Sequence, residues 1–226
     1  MLYIVATPIG NLEDITLRAL RILCESDLIL CEDTRQTRKL LWHYKIKTPT
    51  LSYHQHSKNY RTEQIVKMLK QNKTLALVSD AGTPGISDPG NKLISAISQI
   101  PDILISLIPG PSALTAAASC SGLSCDSFLF LGFIPAKRRR KKIFQEIAES
   151  QRTVIFYESC HRIKKTLHQL ADLLDDRRQI VAARELTKKF ETIYRGSAAE
   201  IAKSDLPEKG EFVVVVERQS KAALAK

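Results

Sequence analysis

Three Gly/Pro-rich loops carry residue types suited to holding a ligand. They are Thr7-Pro-Ile-Gly-Asn-Leu, Ser79-Asp-Ala-Gly-Thr-Pro-Gly-Ile-Ser-Asp-Pro-Gly and Pro109-Gly-Pro-Ser-Ala. Each follows a short apolar run, at residues 2–6, 75–78 and 103–108. Glycine lets a backbone approach a ligand closely, and proline fixes the shape of a loop. A single such loop is usually only a turn. The second is harder to read that way, because its twelve residues hold three Gly, two Pro and two Asp. No G-x-x-x-x-G-K-[ST] run is present, and no G-x-G-x-x-G follows the first apolar run. Asp80 sits where a strand should end, and its carboxylate could receive a ribose hydroxyl or an ammonium group. These features suit a nucleoside-like cofactor without a polyphosphate.

The elements that must position these loops alternate between short apolar runs and helical periodicity. Residues 2–6, 27–31, 75–78 and 103–108 read as buried strands. Ile15, Ala19, Ile22 and Leu23 recur at helix spacing, as do Ile65, Met68 and Leu69 after Ser57, a plausible cap. A further helix is expected from about Thr37. Strands apolar on both faces, separated by helices, predict an α/β fold with a parallel sheet. In such a sheet, ligands bind beyond the carboxyl ends of the strands. The second half predicts strands at 128–134, 153–157, 179–183, 190–194 and 211–217, with helices at 142–149 and through Ile163, Leu167, Leu170 and Leu174. That pattern suits a mixed or antiparallel sheet with flanking helices. The Pro-Gly-Pro-Ser segment marks the boundary, giving domains at 1–112 and 113–226. The residues from about Gln219 read as a frayed tail.

Composition and charge narrow the class. The chain has 226 residues, 44% hydrophobic and 26% charged, which excludes disorder, collagen and coiled coil as whole-chain descriptions. Its 34 Lys and Arg against 24 Asp and Glu give a formal charge of +10, which favours a polyanionic partner. The excess is local. Residues 34–62 hold seven basic residues and no acid, and residues 137–142 are six consecutive cations. The first stretch also holds Trp42, Tyr44, Tyr53 and Tyr60, with His43, His54 and His56. Cations on phosphates and flat rings on bases are how single-stranded RNA is gripped. The competing description is a solvated helix face with its aromatics packed inward. Cations at a helix start oppose the macrodipole, so helix stability does not explain the run at 137–142. Its five cysteines show no Cys-x-x-Cys pair and no zinc-ligand spacing, so no metal is expected. No signal segment and no membrane-length apolar run is present, which fits a cytoplasmic protein.

A family resemblance then becomes specific. Tyr3-Ile-Val-Ala-Thr-Pro-Ile-Gly-Asn-Leu, Glu32-Asp-Thr-Arg, Leu77-Val-Ser-Asp-Ala-Gly-Thr-Pro, Ile108-Pro-Gly-Pro-Ser-Ala, Phe156-Tyr-Glu-Ser, His161-Arg and Ala183-Arg-Glu-Leu-Thr-Lys occur in order along the chain. Together they resemble the ribosomal RNA small-subunit methyltransferase I family of the tetrapyrrole methylase superfamily. Glu-Asp-Thr-Arg and Arg-Glu-Leu-Thr-Lys separate this branch from the macrocycle methylases. The resemblance implies S-adenosylmethionine as methyl donor and the ribose 2′-hydroxyl of a cytidine in small-subunit ribosomal RNA as acceptor. It also implies two α/β domains with the cofactor in a cleft between them, flanked by the basic stretches, and a homodimer. Carried over by motif, the cofactor would touch Ile9, Gly10, Asp80, Ala81, Gly82, Thr83, Ser112, Ala113, Phe156 and Tyr157, with backbone near Ala183 and Phe212. Members often continue into a small C-terminal helical region. This chain stops soon after its last predicted strand, so the basic stretches are expected to carry more of the RNA contact.

Methyl transfer from a sulfonium needs alignment and a base for the acceptor hydroxyl, but no metal. Glu158, Glu32, Asp33 and Glu185 are the candidate bases, with Glu158 and Glu32 ranked first. The competing description pairs Glu158 with Arg162 and Glu32 with Arg35. Candidate RNA contacts are Arg35, Arg38, Lys39, Lys137, Arg138, Arg139, Arg140, Lys141, Arg162, Arg184 and Lys188. Two other functions share parts of this pattern: methylation of a tetrapyrrole precursor, and a non-catalytic RNA-binding assembly factor.

Overall fold

Strand residues point alternately to opposite faces, so a strand buried on both sides must be apolar throughout. Five short strands of that kind open the chain: β1 (Leu2–Val5), β2 (Leu28–Cys31), β3 (Thr50–Ser52), β4 (Leu75–Val78) and β5 (Ile105–Ile108). In a computed structural model of the chain, which describes residues 1–54 and 59–219, they form one sheet in the order β3-β2-β4-β1-β5. Every pairing in it is parallel. Val5, Ile29, Cys31, Ala76 and Val78 pack under α1 (Leu17–Glu25) and α2 (Thr34–His43). Leu2, Ile4, Leu30, Leu75 and Leu77 pack under α3 (Asn59–Lys70) and α4 (Asn91–Ser98).

Capping sets where the two helices near the candidate site begin. Thr16 caps α1, its side chain accepting from the Ala19 N–H at 3.0 Å. Asp33 caps α2 by accepting from the Arg35 N–H at 2.8 Å. That cap starts α2 at Thr34, three residues before the position expected from periodicity. The cap expected at Ser57 lies outside the described residues.

The second sheet has the order β6-β7-β10-β8-β9. Its strands are β6 (Phe128–Phe133), β7 (Thr153–Ser159), β8 (Ile180–Arg184), β9 (Thr192–Gly196) and β10 (Glu211–Val216). Only β6 and β7 run parallel; the remaining pairs are antiparallel. One core joins Val154, Phe156, Ala182, Phe212 and Val214 to α6 (Arg140–Glu149), α7 (Cys160–Ala171) and α8 (Ala198–Lys203). The helix α5 (Ala113–Ser121) packs against β7 and β10. β9 starts two residues later than expected because the chain after β8 makes a tight turn, with Glu185 and Thr187 at positive φ. Gln219 is not frayed: its N–H donates to Ser150 O at 2.8 Å. The rest of the expected tail lies outside the described residues.

By internal contacts the chain divides into Met1–Ser112 and Ala113–Lys226. Among the described residues no helix is long and apolar enough to cross a membrane.

Candidate functional site

Because all five strands of the first sheet are parallel, the residues after β1, β2, β4 and β5 emerge along one edge. Hydrogen bonds tie three of these turns together. The Thr7 N–H donates to Gly82 O at 2.9 Å, the Gly82 N–H returns a bond to Thr7 O at 3.0 Å, and Thr7 Oγ1 donates to Ser79 O at 3.0 Å. Thr83 Oγ1 donates to Pro111 O at 3.3 Å. Gly82 has φ +79, and a Cβ there would stand 3.5 Å from Ile9 Cγ2 and 3.8 Å from Pro111 O. The sequence-predicted Ile9, Gly82 and Thr83 are therefore brought together with Pro111, while Gly10, Asp80 and Ala81 are exposed on the same turns. Ser112 ends the first unit and Ala113 opens α5; both are half-buried.

The turn after β2 joins this edge through Asp80. The Asp33 N–H donates to Asp80 Oδ1 at 3.1 Å. Arg35 grips the Asp33 carboxylate, with Nη2 to Oδ2 at 2.7 Å and Nε to Oδ1 at 3.1 Å. That side-chain grip, with the Arg35 N–H, pulls the Asp33 carboxyl down to about 2. Glu32 moves the other way. Burial, then the negative charge of Asp80, push its carboxyl above the ordinary value. Arg35 pairs with Asp33 rather than with Glu32.

Beside these carboxylates lies an open pocket of about 160 Å³, lined by Thr7, Pro8, Gln36, Lys39, Ser79 and Asp80 among others. Ser79 Oγ is buried and has no hydrogen-bond partner among the described residues. A buried hydroxyl without a partner is costly unless a ligand or water satisfies it. The three loops carry two carboxylates, Asp80 and Asp88, and no Lys or Arg. That donor set fits a nucleoside-like ligand bearing hydroxyl and ammonium groups, and it does not fit a polyphosphate.

In the second unit the structure corrects several assignments. Glu158 is fully buried and saturated with donors. Arg162 Nη2 lies 2.7 Å from its Oε1, the Ser159 N–H reaches Oε1 at 2.8 Å, and Thr166 Oγ1 donates to Oε2 at 2.7 Å. Arg140 adds a contact of 3.5 Å to Oε2. A carboxylate enclosed this way is a structural anion and has no access to a substrate hydroxyl. Arg140 is likewise no phosphate contact. It is buried, and it donates to Thr166 Oγ1 at 2.6 Å, Gln169 Oε1 at 2.9 Å and Pro135 O at 3.1 Å. Arg162 also donates to Ile134 O at 2.9 Å. The buried cluster thus ties the segment before α6 to β7 and α7. Lys137, Arg138, Arg139 and Lys141 around it remain exposed.

Arg184 is also buried, and donates to Lys209 O at 2.9 Å and Phe190 O at 3.0 Å. It closes a turn instead of reaching phosphate. Lys188 bonds Glu185 Oε1 at 2.9 Å and Glu211 Oε2 at 3.4 Å, so its charge is matched inside the same turn. Burial pushes the Glu185 carboxyl up, but Lys188 and the Glu211 N–H outweigh it and hold it below the ordinary value. The side chains of Phe156 and Phe212 are buried within the second core. Ala183 is buried beside them, and the half-buried Tyr157 ring meets Phe130 edge-on at 5.1 Å.

Thr166 and Gln169 were not singled out in the sequence. A signal for Thr166 existed, since it shares the buried face of α7 with Ile163, Leu167 and Leu170. A hydroxyl on that face has to find a partner.

The family model described as tetrapyrrole (corrin/porphyrin) methylases matches residues 1–202. Ribosomal RNA small subunit methyltransferase I of Synechocystis sp. is 47% identical over 96% of this chain and 78% of that protein. The protein of the same name from Vibrio cholerae is 49% identical over 96% of this chain and 76% of its own length. The solved structure of diphthine synthase shares the fold, with a TM-score of 0.73, 14% identity, and coverage of 96% of this chain and 89% of that one. The chain belongs to the tetrapyrrole (corrin/porphyrin) methylase family, and within it to the ribosomal RNA small subunit methyltransferase I branch.

Proposed function

We propose that this protein transfers a methyl group from S-adenosylmethionine to the ribose 2′-hydroxyl of a cytidine in small-subunit ribosomal RNA. The observation that carries the proposal is identity of 47% and 49%, over 96% of the chain, to two proteins named ribosomal RNA small subunit methyltransferase I. The donor set at the sheet edge supports the cofactor. Asp80 would receive ribose hydroxyls or the ammonium group, Ser79 Oγ would gain the partner it lacks, and backbone around Gly82, Ile9 and Gly10 would line the rest. When bound, the donor supplies an electrophilic methyl on a sulfonium and leaves as a neutral thioether.

The chain's own part is to align the acceptor and accept its proton. Among the four carboxylates, Glu32 suits that role best. Glu158 is enclosed by guanidiniums, Asp33 is held at about 2 by Arg35, and Glu185 is held low by Lys188. Glu32 is pushed up where Asp33 and Glu185 are held down, which makes it the stronger base at the same sheet edge as Asp80. Glu32 Oε would accept the proton of the ribose hydroxyl.

The exposed cations favour RNA over a small macrocycle. Lys137, Arg138, Arg139, Lys141, Arg38 and Lys39 all face solvent, where they suit a run of phosphates. On this account the protein works in the cytoplasm and, as the family resemblance implies, as a homodimer. Purified protein with tritium-labelled S-adenosylmethionine should label RNA in small subunits and leave a porphyrinogen unlabelled. Label in the porphyrinogen alone would assign the protein to macrocycle methylation. Absence of cofactor binding by calorimetry would leave a non-catalytic RNA-binding factor.

A further inference from the structure

We propose that the outward face of α2 is a contact strip for single-stranded RNA, on which Trp42 stacks against an unpaired base and Arg38 and Lys39 hold the flanking phosphates. The inference rests on the ribosomal RNA acceptor proposed above and names where that RNA lies on the first unit.

Helix spacing organises the strip. Arg35, Arg38, Lys39 and Trp42 recur at i, i+3, i+4 and i+7, so they share one face of α2. Thr37, Leu40 and Leu41 occupy the opposite face and are buried. The Trp42 side chain is 83% exposed and is the only tryptophan in the chain. An exposed aromatic is ordinary on its own. This one stands at the end of a row of cations, and residues 34–62 contain no acid at all.

The cations are available. Arg35 is committed to Asp33. Among the described residues, Arg38, Lys39, Lys45 and Lys47 form no ion pair. Lys39 bonds only the neutral Gln36 Oε1, at 2.8 Å. A protein partner, or a second copy of this basic chain, would have to bring acids to match this face. A nucleic acid strand brings a phosphate with every nucleotide and a flat base for the ring.

The strip is continuous with the candidate site. Lys39 and Gln36 line the same pocket as Asp80 and Ser79. Glu32 and Asp33 immediately precede α2. At 1.5 Å of rise per residue, Trp42 stands roughly 14 Å along the helix from Asp33. That distance places the stacked base outside the reacting nucleotide. Trp42 therefore contributes to RNA affinity and not to chemistry.

The single tryptophan gives a direct readout. Titrating the whole protein with an unlabelled oligocytidylate should quench tryptophan emission to saturation. In methyl transfer to small subunits, Trp42→Ala should raise KM on the order of tenfold, much more than it lowers kcat. Trp42→Phe should recover most of that loss, because a flat ring is restored. Arg38→Gln with Lys39→Gln should flatten the salt dependence of RNA binding by roughly 0.7 per charge removed, whereas Trp42→Ala should leave the slope alone. The proposal is overturned if wild-type protein methylates ribosomal RNA while Trp42→Ala keeps its KM and emission is unquenched. It is also overturned if Trp42→Ala changes only the oligomeric state, which would assign the ring to a protein contact. If the wild-type protein neither methylates nor binds RNA, the acceptor itself is wrong and the strip falls with it.

Discussion

The backbone N–H of Asp33 donates to Oδ1 of Asp80 across 3.1 Å, joining the turn after β2 to the turn after β4. The bond holds the Asp80 carboxylate beside the residue that precedes Asp33, and its charge is the second cause, after burial, of the raised Glu32 pKa. The proposed cofactor loop and the proposed base are thus coupled through one carboxylate.

That coupling predicts a pH profile. As the proposed base, Glu32 would work as its carboxylate, so methyl transfer should rise with pH through a value above that of an ordinary glutamate. Asp80→Asn, assayed at saturating cofactor, should move that limb to lower pH because it removes the charge of Asp80. Glu32→Gln should keep cofactor binding and lose transfer. Stability should run opposite to activity. A raised folded pKa favours the protonated form, so this stabilising contribution is present at acid pH and lost as pH rises through the folded value. Glu32→Gln should therefore keep or raise Tm at neutral pH. A profile unchanged by Asp80→Asn would contradict the coupling.

Glu158 should behave as a structural residue. Removing it leaves the Arg140 and Arg162 guanidiniums without their shared anion, at 8% and 29% side-chain exposure. Breaking a buried pair from one side costs about 3–5 kcal/mol. Urea denaturation of Glu158→Ala should report a loss of that order. At a temperature where the variant remains folded, its methyl transfer per folded molecule should persist. A fully stable variant without transfer would return Glu158 to the catalytic candidates.

The basic run should separate into two kinds of cation. Lys137, Arg138 and Arg139 are exposed, whereas Arg140 is buried in bonds to Thr166, Gln169 and Pro135. Changing the first three to Gln should lower the salt slope of RNA binding by roughly 0.7 for each charge and leave Tm unchanged. Arg140→Gln should lower Tm by removing the buried bonds to Thr166, Gln169 and Pro135. Equal effects from both variants would show that the run acts as one patch.

The turn after β8 depends on Gly210. It has φ +103, and a Cβ there would lie 2.7 Å from Glu185 Cγ. Gly210→Ala should displace the Glu185 side chain from Lys188 and from the Glu211 N–H. The expected loss in thermal or urea denaturation exceeds about 1 kcal/mol, since Ala is placed at positive φ against a side chain. An unchanged midpoint would mean the turn relaxes freely.

Much of the fold was legible because the chain separates its signals cleanly. Strands such as residues 75–78 are apolar at every position, and Gly and Pro mark the loops that follow them. β3 carries no such signal: its three residues, Thr50–Ser52, are half-buried at the sheet edge and form no apolar run. The sheet-edge loops were legible for the same reason as the strands. The roles of the charged residues were not. Glu158 meets Arg140 and Thr166 only because β7, α6 and α7 pack together, and spacing along the chain does not encode that meeting. Arg184 illustrates the same limit: its partners are backbone carbonyls of Lys209 and Phe190, which have no side-chain signature. Position beside a strand end singles out the four carboxylates only as a set; enclosure by guanidiniums sets Glu158 apart, and burial with neighbouring charge sets Glu32 apart from Asp33 and Glu185.

The most direct test of the central claim is mass-spectrometric mapping of ribose methylation in small-subunit ribosomal RNA, with and without the protein. The account predicts one 2′-O-methylcytidine that is absent without the protein and restored by wild-type chain but not by Glu32→Gln. Identical ribose methylation in the two RNA samples would contradict it.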